Sequence, residues 1–264
     1  FIGAGSVLFA KEPSEKEVVN DINPDIAHAW RTVKSLAPDK IKKLAAKNWV
    51  GSKDLQEKLL ASSPSDDLEK LYKFLYTTAH GFGAMRKKGS FDPSSAGKTP
   101  NVIQRLEKGA PRVKNVVVRC GMYDKVIKEY DGKDTLHFLD PPYAGHNKGH
   151  DSGLFEDDFD ESKFFEVLKA IKGKFLLTYG IRGDLPAMLK KERGWVVKTI
   201  RTPRTASSMN WAGGNQSKIL SQIICSNYPI SESTNKALGA LEADGYVVKD
   251  FEPEVDKAWD DLEQ

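Results

Sequence analysis

At 264 residues, with 39% apolar and 29% charged residues, the chain can hold one large α/β domain, or one domain with a sizeable insertion, and has the composition of an ordinary soluble protein. No stretch approaches the roughly 18 apolar residues of a membrane span. No signal peptide is recognisable, and the abrupt opening is read as leaving an N-terminal piece outside this sequence. The net charge of +3 hides an asymmetry, because residues 84–120 carry nine Lys or Arg against two acids whereas residues 229–264 carry three against ten. A basic middle suited to a polyanion therefore precedes an acidic, solvated tail.

In chain order, Phe1-Ile2-Gly3-Ala4-Gly5-Ser6 opens with a Gly-x-Gly turn, which allows a tight bend and close approach of backbone to a ligand. Glu17 to Ile22 reads as a short strand ending in Asp21, and a helix is expected from Pro24 to Ser35, with Pro at an early helical position. A Gly-rich turn followed, roughly 20 residues on, by an acid at a strand end is how an α/β sheet holds a nucleoside, with the carboxylate on ribose hydroxyls. The third glycine of a dinucleotide fingerprint is absent, so adenosine without phosphates is the expected ligand.

Residues 38–73 carry helical periodicity, with a cap expected at Ser65. Phe74 to Gly97 interleaves aromatics and glycines with Arg86-Lys87-Lys88, a mixture suited to a loop-rich insertion that grips phosphates. Arg112 to Arg119 reads as a strand, Met122 to Tyr130 as a helix, and residues 135–140 as a buried central strand. The loop from Ala144 to Gly153 holds His146 and His150, which follow no helical pattern, so no metal site is expected. A helix from Ser162 to Ile171 leads into the strand Phe175 to Tyr179, and strands at Trp195–Thr199 and Ile219–Ser226 complete the sheet. Alternating strand and helix predict a largely parallel, helix-flanked sheet. Cys120 and Cys225 read as reduced core thiols of an intracellular protein.

The element that organises the rest is Leu136-His137-Phe138-Leu139-Asp140-Pro141-Pro142-Tyr143. Proline cannot extend a ladder, so the strand stops at Asp140, and Asp140 and Tyr143 sit on a stiff turn at its carboxyl end. That edge is where open α/β sheets bind ligands. A carboxylate and main-chain carbonyls beside an aromatic face suit a flat ring bearing an amino group, such as a nucleobase.

FIGAGS, VVNDIN, FLYTTAHGFGAMRKKGSFDPSSAG, LDPPY and IKGKFLLTYG, in that order, with a last strand ending Ser226-Asn227-Tyr228, resemble the Dam-type adenine-specific DNA methyltransferases over residues 1–228. The resemblance implies a Rossmann-like α/β sheet that binds S-adenosyl-L-methionine. Phe1, Gly3, Gly5, Ser6, Asp21, Ile22, Met122 and Asp140 would meet the cofactor. Asp140, Pro141, Pro142 and Tyr143 would receive an adenine flipped out of duplex DNA. Arg86, Lys87, Lys88 and Lys98 would meet the DNA. The expected division is a catalytic domain of residues 1–37 and 112–228, a helical insertion and target-recognition region of 38–111, and an acidic extension of 229–264. No metal and no membrane are implied. Double-stranded DNA is the partner, with a restriction endonuclease or a second subunit as candidate protein partners, and the setting is the cytoplasm of a prokaryote or phage host.

Three departures stand out. The family's Gly- and Lys-containing cofactor motif ahead of FxGxG is absent from this sequence. Trp211-Ala212-Gly213-Gly214-Asn215 looks a little like it, displaced within 210–218. A truncated N-terminus, or a partner subunit that supplies the motif, accounts for the absence more readily than permutation does. Met122-Tyr123 stands where the family has an acid before an aromatic, with Asp124 two residues after Met122. Residues 229–264 have no recognised counterpart. Two other readings stay open: methyl transfer to RNA or to a protein amide, against which an Asp rather than Asn at 140 argues, and a catalytically silent DNA- or cofactor-binding subunit.

Overall fold

The computed structural model describes residues 1–143, 159–203, 219–229 and 247–250. The described residues divide into two compact units, Phe1–Tyr123 and the chain from Asp124 onward. His146, His150, the segment 211–215 and most of 229–264 lie outside the described residues.

The first unit begins with a glycine turn and a short helix α1 (Ser6–Ala10), followed by β1 (Val18–Asp21) and α2 (Pro24–Lys34). Asn23 caps α2 by accepting from the Asp25 and Ile26 amides, and Pro24 takes the first helical position, where a missing N–H costs nothing. Three helices follow: α3 (Pro38–Ala45), α4 (Lys53–Ala61) and α5 (Asp67–His80). The cap of α5 is Asp66, which accepts from the Leu68 and Glu69 amides, and not Ser65 as expected. α6 (Val102–Val113) leads to β2 (Val117–Cys120), which pairs with β1 in parallel. Arg112 and Val113 therefore finish a helix, and the strand expected from Arg112 starts only at Val117.

Two apolar clusters hold this unit. One joins the helices through Leu44, Trp49, Leu71, Tyr76 and Leu106. The other sets α1 and α2 against the small sheet through Leu8, Val19, Trp30, Val113 and Val116. Arg112 ties the two ends together, forking onto both Glu17 oxygens at 2.6 and 2.8 Å and donating to the Leu8 carbonyl at 2.9 Å. Bidentate geometry of this kind is the strong form of an ion pair. Arg112, followed by Lys11, holds the Glu17 carboxyl down to about 2.

The second unit contains α7 (Tyr123–Tyr130), whose first residue belongs to the first unit, β3 (Leu136–Leu139), α8 (Glu161–Ala170), β4 (Lys174–Gly180), α9 (Leu185–Lys191), β5 (Val196–Pro203), β6 (Ile219–Ser226) and β7 (Val247–Asp250). The strand order is β3-β4-β6-β5-β7. β3 and β4 are parallel, whereas β6 runs antiparallel to both β4 and β5, and β7 antiparallel to β5. The sheet is thus mixed, not largely parallel. Parallel neighbours need a crossover, usually a helix, and no helix was expected between the last two strands. That spacing is compatible with antiparallel pairing, which strand–helix alternation alone does not reveal.

β3 lies at an edge of this sheet and is not its central strand. Leu139 is buried, but Leu136 and Phe138 are 57% and 37% exposed. Phe164 and Leu168 of α8, Leu185 and Leu189 of α9, and Phe175, Leu177 and Ile223 of the sheet are all buried. Cys225 is also buried, which pushes its thiol up to about 12, while Cys120 is exposed at the end of β2 and is not a core thiol. The acidic extension contributes β7, fastened by Lys198 to Asp250 at 2.8 Å.

Candidate active site

Pro141 and Pro142 end β3 as the sequence requires, leaving Asp140 exposed at its carboxyl end beside β4. The register pairs Leu139 with Leu177, so the next residues along, Asp140 and Thr178, are neighbours. Thr178 Oγ1 donates to Asp140 Oδ1 at 2.8 Å. The Tyr143 hydroxyl donates to the same oxygen at 3.2 Å and accepts from Gln222 Nε2 at 2.8 Å. Oδ2 of Asp140 receives no hydrogen bond from any described residue.

The Tyr143 ring lies on β4 where that strand has no side chain. A Cβ at Gly180 would stand 3.2 Å from Tyr143 Cβ and 3.3 Å from its Cγ and Cδ2. Gly180 pairs with Gln222, so the ring reaches across β4 and places its hydroxyl on β6. Tyr179 meets the ring edge-on at a centroid distance of 5.4 Å, and its own hydroxyl donates to Glu161 Oε1 at 2.7 Å. The other Glu161 oxygen accepts from the Asp184 amide, also at 2.7 Å. Burial, and then the neighbouring Asp140 charge, push the Tyr143 phenol well above its ordinary value, so it stays a neutral donor.

The first unit brings the glycine turn and the acid of the next strand together. Gly3 N–H donates to Asp21 Oδ2 at 3.2 Å, and Asn23 N–H to Oδ1 at 3.0 Å. Trp30 Nε1 donates to the Gly3 carbonyl at 3.1 Å, and its ring would lie 2.5 Å from any Cβ at Gly5, whose φ is +71°. Both the space and the left-handed backbone require glycine there. A Cβ at Gly3 would meet nothing within 4 Å, so that side of the turn is open. Ser6 opens α1, and Ile22 and Met122 follow the carboxyl ends of β1 and β2. Phe1 stacks on Tyr123 at 5.4 Å. Asp124 is engaged by Lys163 at 3.3 Å and accepts from the Lys125 amide.

Arg86, Lys87 and Lys88 lie in a short hairpin closed by a Gly81–Phe91 bridge. Ser90 Oγ braces it by donating to the Met85 and Lys87 carbonyls, and Gln56 of α4 donates to Ser90 at 3.2 Å. The Arg86 guanidinium lies over the Phe74 ring at 4.4 Å, and burial lowers its pKa. Lys88 and Lys98 are exposed.

Sequence reasoning missed Thr178, Gly180, Gln222 and Glu161. Their signal was faint: Thr178, Gly180 and Gln222 are polar or side-chain-free positions in otherwise apolar strands, and Glu161 is an acid in the first turn of α8. Gln222 lies early in β6, and because β6 is antiparallel to β4 that end sits at the carboxyl edge of β4.

Residues 1–205 match the family model of the D12 class N6 adenine-specific DNA methyltransferases. The type II methyltransferase M.MjaIII of Methanocaldococcus jannaschii is 24% identical over 256 residues, covering 86% of each chain. The type II methyltransferase M1.LlaDCHI of Lactococcus lactis subsp. cremoris is 24% identical over 249 residues, covering 86% of this chain and 84% of the relative. A DNA adenine methylase of Haemophilus influenzae is 27% identical over 154 residues, covering 54% and 53%. With an acid, two prolines and a tyrosine braced at a strand's carboxyl end, and a family match over most of its length, this chain belongs to the D12 class of N6 adenine-specific DNA methyltransferases.

Proposed function

We propose that the chain methylates N6 of an adenine flipped out of duplex DNA, using S-adenosyl-L-methionine, with Asp140, Pro141, Pro142 and Tyr143 receiving the base. The observation that carries this assignment is the Asp140 carboxylate, exposed at the end of β3, with Oδ1 held by two protein donors and Oδ2 receiving none from the described residues. Such a group accepts a hydrogen bond from an exocyclic amine without reorganising. The Pro141 carbonyl is the second acceptor, and Tyr143, backed by Gly180, is the stacking platform. The amine is a weak nucleophile because its lone pair is delocalised into the ring. Two acceptors that turn its protons aside expose that lone pair, and the Asp140 charge offsets the positive charge that develops on nitrogen.

The cofactor residues fit a nucleoside. The turn at Gly3 is open on one side, and Asp21 uses two of its roughly four lone-pair positions on amides, leaving capacity for hydroxyls. Phe1, Gly3, Gly5, Ser6, Asp21, Ile22 and Met122 would hold the cofactor, which supplies an electrophilic methyl group when bound. A Rossmann-like arrangement of the sheet is part of this reading, as is DNA contact by Arg86, Lys87, Lys88 and Lys98.

The test is Asp140→Ala beside Asp140→Asn. Methyl transfer to unmethylated duplex DNA should fall by orders of magnitude in Ala. It should fall less in Asn, which keeps one acceptor, since a lost contact of this type costs ~10²–10³ in rate. Calorimetric affinity for S-adenosylmethionine should largely persist. Wild-type methylation by the Ala variant would overturn the assignment.

A further inference from the structure

We infer that Thr178 and Gln222 are positioning residues for methyl transfer, Thr178 by anchoring Asp140 through Oδ1 so that Oδ2 is presented to the amine, and Gln222 by fixing the direction of the Tyr143 hydroxyl. This rests on the assignment of Asp140 and Tyr143 to the target base.

The argument is one of donors and acceptors. A carboxylate on the residue that follows an edge strand can rotate about its side-chain bonds. Two donors on one oxygen, at 2.8 and 3.2 Å, remove that freedom and dictate which oxygen remains for a ligand. Thr178 stands in register beside Asp140 on β4, so its hydroxyl arrives from a strand packed against the core. Tyr143 carries one proton. Gln222 Nε2 donates to the phenol oxygen at 2.8 Å, which turns that proton toward the Asp140 side, where Oδ1 lies at 3.2 Å and Thr178 also hydrogen-bonds the phenol. Were the Gln222 amide turned round, its carbonyl would compete for the proton and Asp140 would lose a donor. Gly180 completes the arrangement, because only a strand without a side chain there lets the ring reach Gln222. Three adjacent strands, β3, β4 and β6, thus set one oxygen atom.

The experiment uses the full chain and unmethylated genomic DNA. Thr178→Val keeps the shape and removes the donor, Thr178→Ser restores it, and Gln222→Leu removes the second support. For Val and Leu, kcat should fall ~10–100-fold, in line with the effect of displacing a reacting group by about an ångström. KM for DNA, calorimetric affinity for S-adenosylmethionine and the melting temperature should stay close to wild type, and Ser should recover most of the lost kcat. In an Asp140→Asn background, Thr178→Val should cost much less, because the carboxylate it anchors is gone. Wild-type kcat in both Val and Leu, with Asp140→Ala inactive, would overturn the positioning role and leave the base assignment standing. An active Asp140→Ala would overturn both. If Val loses kcat together with melting temperature and cofactor affinity, and Ser fails to restore it, Thr178 is structural and the inference is refuted.

Discussion

Gly180→Ala is the most discriminating substitution outside the acidic motif. Its Cβ would lie 3.2–3.3 Å from three Tyr143 carbons, against an optimal carbon–carbon separation of about 3.5–4.0 Å. The ring must therefore retreat by roughly 0.3–0.7 Å. Retreat is hindered at both ends, by the Pro141–Pro142 turn and by the Gln222 hydrogen bond at 2.8 Å. Overpacking of this kind costs about 1–3 kcal/mol in general, and the low end applies because Tyr143 is only half-buried. For the chemistry, a 1 Å misplacement is worth about 10²-fold, so half of it gives ~10-fold. The assay is the initial rate of tritiated methyl transfer to duplex DNA at saturating S-adenosylmethionine, with melting temperature and cofactor affinity measured on the same preparation. A ~10-fold slower variant with unchanged cofactor affinity is expected. A wild-type rate would show that the ring's placement on β4 is irrelevant to catalysis.

Asp21→Ala should weaken S-adenosylmethionine binding by about 1.5–3 kcal/mol and also lower the melting temperature, since the Gly3 and Asn23 amides lose their acceptor; unchanged calorimetric affinity would remove Asp21 from the cofactor site. Glu17→Gln should cost about 1–2 kcal/mol at neutral pH. Because Glu17 is held down from 4.5 to about 2, its contribution is complete above pH 4.5 and is lost as pH falls toward 2. Denaturant titrations of the two proteins should therefore converge over that window, and a gap independent of pH would contradict the ion-pair origin. Lys88→Ala and Lys98→Ala should each flatten the slope of log K against log salt for DNA binding by ~0.9. Arg86→Ala should change that slope less and stability more, because its guanidinium rests on Phe74; equal slope changes for all three would place Arg86 at the phosphates.

The residues assigned to the proposed site were legible because each is punctuated. Two prolines fix the end of β3, and Pro24 after Asn23 fixes the start of α2. The Gly3–Gly5 turn and Asp21, far apart in sequence, meet as the spacing suggested. What sequence did not reveal was strand order and direction. An apolar run such as Leu136–Leu139 reads the same in the middle of a sheet as at its edge, and only the neighbours decide that Phe138 is left exposed. The supports of the site stayed hidden for a related reason. Thr178 and Gln222 are ordinary strand residues until register places them beside Asp140 and Tyr143, and register is a property of pairs of strands.

β7 changes what can safely be removed from this protein. Its four residues come from the acidic extension, beyond the segment that matches the family model, yet they pair with β5 from Lys198 to Arg201. A shortened version ending at Tyr228 would keep every residue assigned to the target base and the cofactor. It would also uncover a row of amides and carbonyls along β5, an open template for another molecule's strand. Such a version should clump or dimerise through β5 as its concentration rises, which light scattering would register while the intact chain remained dispersed. In the described sheet β7 is itself the last strand, so the tail moves that edge from the eight residues of β5 to a four-residue strand bearing Lys249 and Asp250, a shorter and charged template.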